Sequence, residues 1–118
     1  MRRPFVVLLA VVALAGFARS ARAHAILLEA TPAPNATVEG PDLKVVLKFN
    51  SRIDAKRSRI TILMPDQSAK VLTNDASSPP DSLTARGHGF APGDYRLKWQ
   101  VLSSDGHITR GEHPFTVK

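Results

Sequence analysis

Cysteine is absent from the sequence, and methionine occurs only twice, at Met1 and Met64. Without thiols there is no disulfide framework, no zinc ribbon, no thiol nucleophile and no His-Cys electron-transfer site. One methionine beyond the first residue is too few for a soft-metal site built from several thioethers. Aromatic residues are sparse too, with one Trp, one Tyr and five Phe. No basic stripe interleaved with aromatics runs through the chain, so nucleic acid is a poor candidate partner. Sustained helical periodicity is also missing; Arg52 to Arg59 could hold one short helical turn at most.

What is present begins with a leader. Arg2 and Arg3 form a positive start, Phe5 to Ala18 is apolar, and Ala21-Arg22-Ala23 places small residues where a signal peptidase reads them. The apolar stretch is short for a membrane span, which needs about 20 residues. Residues 1–23 therefore read as a cleaved signal peptide, and 24–118 as one exported domain. The arginine pair leaves Sec and twin-arginine export both open. Removing 23 of 118 residues leaves 95, enough for a small packed core. Four of the 16 basic residues go with the leader, leaving 12 against 10 acidic ones, a net charge of about +2.

The remaining chain reads as strands. Leu43, Val45, Leu47 and Phe49 alternate with polar positions, as do Tyr95, Leu97, Trp99 and Val101. Arg59 to Met64 is rich in β-branched residues and stops at Pro65-Asp66; Phe115 and Val117 suggest a short last strand. Turn clusters at Pro32–Asn35, Glu39–Asp42, Ser77–Asp81 and Ala91–Asp94 separate them. The expectation is an all-β fold, a Greek-key β-barrel or Ig-like β-sandwich of about seven strands. Trp99 belongs in its core.

Four histidines carry the chemistry: His24, His88, His107 and His113. Cleavage makes His24 the first residue, where an α-amine and an imidazole can chelate one metal together. Asp105 and His107, two positions apart, project to one side of an extended chain, and Gly106 lets the backbone bend. Asp105-Gly106 is equally a common turn dipeptide, so the pair reads as a polar turn or as half of a metal site. Amine, two imidazoles and one carboxylate would favour Cu(II), in a square arrangement of nitrogen and oxygen donors. His113 shares parity with Phe115 and Val117 and is expected to pack or hydrogen-bond; His88 sits in Arg86-Gly87-His88-Gly89, an exposed loop.

Three stretches carry a resemblance: His24-Ala25-x-Leu27 followed by Thr31-Pro32-Ala33; Ala91-Pro92-Gly93-Asp94-Tyr95-Arg96-Leu97-Lys98-Trp99; and Val101–His107 with Gly111, Phe115 and Val117. In that order they are similar to the mature start, the penultimate strand and the ending of the CopC family of periplasmic copper-resistance proteins. The resemblance implies a Greek-key or Ig-like domain holding one Cu(II) through His24, Asp105 and His107. It implies copper sequestration or delivery rather than catalysis, by a monomer working beside a CopD-like inner-membrane protein. Three departures stand out. Asn50-Ser51 replaces the Ser-Glu frequent in the family, no methionine-rich segment is present, and Ile108-Thr109-Arg110 replaces a common His-Pro continuation. A histidine-brace copper oxygenase and a metal-free Ig-like interaction module are the competing readings.

Overall fold

The computed structural model describes residues 24–118, and both sheets and their shared core lie within that segment. The leader reading of 1–23 lies outside the described residues. Nine strands form: β1 (Leu27–Thr31), β2 (Thr37–Val38), β3 (Leu43–Phe49), β4 (Ile53–Leu63), β5 (Ala69–Val71), β6 (Thr73–Asn74), β7 (Ser82–Gly87), β8 (Gly93–Ser103) and β9 (Ile108–Val117). They make two sheets, ordered β1-β3-β7-β6 and β2-β9-β8-β4-β5. No helix occurs among the described residues. The all-β expectation is met. The strand number exceeds seven because β2 and β6, of two residues each, are too short to leave a periodic signal.

Alternation in the sequence becomes alternation in burial. Leu43, Val45, Leu47 and Phe49 are buried while Lys44 and Lys48 are exposed. The same holds on β8, where Tyr95, Leu97, Trp99 and Val101 point inwards. The two inner faces meet in one core, whose large side chains each contribute roughly 1.5–3 kcal/mol by leaving water. Phe49 meets Trp99 edge to face at 5.4 Å, and Tyr95 stacks on Phe115 at 5.5 Å. The Tyr95 hydroxyl donates to the Ala91 carbonyl at 2.6 Å, so its polar end is satisfied. Trp99 lies across Gly111, its partner on β9; a Cβ at that position would overlap the indole.

The limit set on Arg52–Arg59, one short helical turn at most, is respected: the segment holds no helix and belongs largely to β4, whose pairing with β8 jumps between Asp54 and Arg59. Asp54 Oδ1 accepts from the backbone N–H groups of Lys56 and Arg57, and Ser58 Oγ donates to the Asp54 carbonyl, so the extra residues bulge from the ladder. One expectation needs correction: the last strand is long, not short. β9 begins at Ile108 and pairs with β8 from Leu102↔Ile108 to Gly93↔Val117. The alternation of its first half is masked because the inward positions hold Thr109 and Gly111 instead of large apolar residues, opposite the exposed Arg110 and Glu112.

Candidate metal centre

Three chain segments meet at one end of the sandwich. The first is the approach to β1. Ala25 is buried in the core, and Asn50 clamps Ile26 from both sides. The Ile26 N–H donates to Asn50 Oδ1 at 2.8 Å, and the Asn50 N–H donates to the Ile26 carbonyl at 3.0 Å. The second segment is the β3–β4 connection that carries Asn50. The third is the β8–β9 turn, tied to the second by the Ser104 N–H donating to the Arg52 carbonyl at 3.2 Å. One loop thus fixes both the N-terminal segment and the turn holding Asp105 and His107.

That arrangement brings His24 against His107. Their ring centroids lie 4.9 Å apart with planes at 79°, an edge-to-face contact between opposite ends of the chain. Both residues are exposed. Asp105 meets His107, with Nδ1 to Oδ1 at 3.1 Å. The same Oδ1 accepts from the His107 backbone N–H at 3.2 Å and lies within reach of the buried Ser103 hydroxyl. That hydroxyl has one proton, which serves either Asp105 or the His107 carbonyl at 3.0 Å. Ser103 first, then the imidazole and backbone N–H of His107, hold the Asp105 carboxyl well below the usual carboxylate range. Gly106, with φ +92°, supplies the left-handed residue of this turn.

The structure therefore joins His24 to His107 and Asp105 to His107. Among the described residues no group of three or more His, Asp or Glu side chains closes into a ligand cluster. In the 118-residue chain the nitrogen of His24 is a peptide amide bonded to Ala23, not a free amine.

The turn itself is not unique. Asp66 and Asp75 accept from the backbone N–H and hydroxyl of Ser68 and Ser77, two residues on, just as Asp105 accepts from His107. Asp-Gly-His is thus an Asp-x-Ser turn with an imidazole in the third position. The two sequence readings of this stretch are compatible: the turn chemistry positions the imidazole.

The other two histidines are engaged elsewhere. His113 is buried, its Nε2 bonded to the Pro32 carbonyl at 2.8 Å, as its parity suggested. His88 is exposed, its Nδ1 2.9 Å from Asp42 Oδ1. Sequence reasoning missed Asn50 as a positioning residue. Its partner lies 24 residues upstream, and no local pattern marks such a pairing.

A CopC domain model matches residues 27–118. The chain belongs to the CopC family. The protein YobA of Escherichia coli strain K12 is 30% identical over 99 residues, covering 81% of this chain and 80% of YobA. The crystal structure of CopC from Methylosinus trichosporium OB3b superposes with a TM-score of 0.72 at 33% identity, over 80% of this chain and 94% of that one. PcoC, a methionine-rich copper resistance protein from Escherichia coli, gives a TM-score of 0.64 at 28% identity, over 81% and 100%. Those neighbours share the two-sheet fold. This CopC-family chain, with Met64 as its one methionine beyond Met1, departs from the methionine-rich character of PcoC.

Proposed function

We propose that this CopC-family protein is a periplasmic carrier of Cu(II), one ion per chain, formed when removal of residues 1–23 frees the amine of His24. The observation that carries the reading is the His24–His107 contact at 4.9 Å. In this reading His24, the first residue of the processed chain, is the one that touches a histidine near the far end. The α-amine and imidazole of His24 supply two donors, the imidazole of His107 a third, and the carboxylate of Asp105 a fourth. Nitrogen and oxygen donors in a square favour Cu(II), which also tops the divalent affinity order. Adjacent corners of such a square, with bonds of about 2 Å, lie roughly 2.8 Å apart. His107 Nδ1 and Asp105 Oδ1, at 3.1 Å, are already near that separation. Copper would then take the place of the proton between them, and binding would release protons to solution.

The chemistry is reversible coordination without turnover. Copper sequestration, or transfer to and from a CopD-like inner-membrane protein, is the role that fits an exposed site on a small rigid sandwich. With one methionine in the segment 24–118, a thioether Cu(I) site cannot be built, so the carrier handles the oxidised ion.

The test is a Cu(II) titration of the chain beginning at His24, with its first residue established by mass spectrometry. One equivalent of copper should bind, with a d–d band of tetragonal nitrogen/oxygen coordination. The same chain carrying one additional residue before His24 should lose most of its affinity. Equal affinity of the two would sink the amine-based site.

A further inference from the structure

A second surface is independent of the histidines. A groove of about 500 Å³ opens on the outward face of β4, β8 and β9. Arg59, Gln100 and Arg110 form one cross-strand row of it, and Thr61, Lys98 and Glu112 the next. Three cations thus face one carboxylate, and that carboxylate is already engaged: Arg96 Nε donates to Glu112 Oε2 at 2.8 Å. Arg110 Nε donates to Gln100 Oε1 at 2.8 Å, which leaves the other guanidinium donors uncommitted. Among the described residues neither Arg59 nor Lys98 has a carboxylate within salt-bridge distance. The groove's excess of two positive charges equals the whole net charge of residues 24–118, 12 basic against 10 acidic.

We infer that this groove is a docking surface for an extended acidic segment of a partner protein. Spacing points to a polypeptide rather than a single small anion. Arg59 and Arg110 stand two strand spacings apart, about 10 Å, and the Lys98 row lies about 7 Å further along the strands. An extended segment presents alternate side chains at that same interval of about 7 Å, one carboxylate per row. A membrane surface fits less well, because the groove's one apolar residue, Trp99, is buried and offers nothing to insert. Arg110 lies three residues beyond His107 on the same hairpin, about 10 Å along the strand. A partner seated here would lie beside the histidine pair; that consequence for copper transfer rests on the copper reading, whereas the surface does not.

The experiment is an amide NMR titration of residues 24–118, which contain both sheets and the core, with a blocked decapeptide of alternating Glu and Thr. The alternating Gln and Thr peptide, inorganic phosphate and phosphatidylglycerol vesicles are run beside it. Expected are shifts centred on Thr61, Lys98, Gln100 and Arg110 with the acidic peptide, weakening as salt is added. The pair of substitutions Arg59→Gln and Arg110→Gln should weaken binding about tenfold or more, and Glu112→Gln should strengthen it about two- to fivefold. Should the double variant fail to fold, the Glu112→Gln and salt arms decide. Equal binding of the neutral peptide, or shifts outside the groove, overturns the inference. Binding to vesicles or phosphate without binding of the acidic peptide overturns it too. His107→Ala should leave peptide binding unchanged, so failure of the copper reading would register separately.

Discussion

The hairpin of β8 and β9 carries two histidines in opposite circumstances. His107 sits in the turn, exposed, its imidazole between His24 and Asp105. His113, six residues further on, points into the sandwich with Nε2 spent on the Pro32 carbonyl. A buried imidazole bonded to a backbone carbonyl is structural, since removing it orphans its partner. An exposed imidazole beside a carboxylate and a second imidazole retains donor capacity for a ligand. The contrast teaches that position relative to the sheet, rather than residue type, divides structure from chemistry here.

Substituting each histidine by alanine breaks or sharpens that contrast most. His107→Ala should reduce Cu(II) affinity by more than the roughly 10–100-fold typical of losing a ligand's supporting partner, with little change in stability. His113→Ala should lower stability by about 1–3 kcal/mol, measured by urea denaturation, and leave the copper stoichiometry at one. If His113→Ala abolished copper binding in a chain that remains folded, the division between the two would be wrong.

Next in size is Gly111→Ala, on the strand between the two histidines. The new methyl group would overlap the Trp99 indole, so the ring must shift against Phe49. Overpacking of this kind costs about 1–3 kcal/mol, read as a lower urea midpoint with a changed Trp fluorescence maximum. Copper affinity should stay near that of the parent, because the turn is anchored through Ser104 and Arg52 rather than through Gly111.

Much of this was legible before any coordinates. Alternation fixed β3 and β8 because each has one face in the core and one in water, which is the condition that writes period two into a sequence. The 10-residue β9 was not legible in full, since its first half shows Arg110 and Glu112 on the groove face, and polar Thr109 and side-chain-less Gly111 on the inward one, where the Trp99 indole lies. The β4 bulge left room in the sequence for one short helical turn at most, and the structure fills it with local side-chain bonds of Asp54 and Ser58. The candidate ligands His24, Asp105 and His107 could be named from residue chemistry and the expectation that a leader ends at Ala23. The agent that positions them could not, since Asn50 acts across 24 residues through two backbone bonds.

Asn50 offers a smaller and more discriminating test. Asn50→Ala removes the acceptor for the Ile26 N–H but keeps the Asn50 backbone bond to Ile26. Loosening the segment that carries His24 should weaken Cu(II) binding by about tenfold, at a stability cost of about 1 kcal/mol. Asn50→Asp retains the acceptor and should restore most of the affinity. A purely structural role would lower the denaturation midpoint without moving the copper titration.

The smallest effect concerns the three aspartate turns and isolates what is general in the Asp-Gly-His turn. Hydrogen bonds from Ser68 hold Asp66 below the ordinary carboxylate value of 3.8, and the backbone and hydroxyl of Ser77 do the same for Asp75. A carboxyl depressed in the folded state contributes stability that is fully present above its unfolded value of about 3.9 and lost as pH falls through the folded one. Stability measured by denaturant titration should therefore decline below about pH 4. Substituting both Asp66 and Asp75 by Asn should flatten that decline while keeping the side-chain oxygen that closes each turn. Neither substitution should touch the copper titration at neutral pH, because Ser68 and Ser77 stand where the third turn has an imidazole. An unchanged acid limb in the double variant would mean that these turns add nothing beyond local geometry, and the Asp105 turn would then owe its importance to His107 alone.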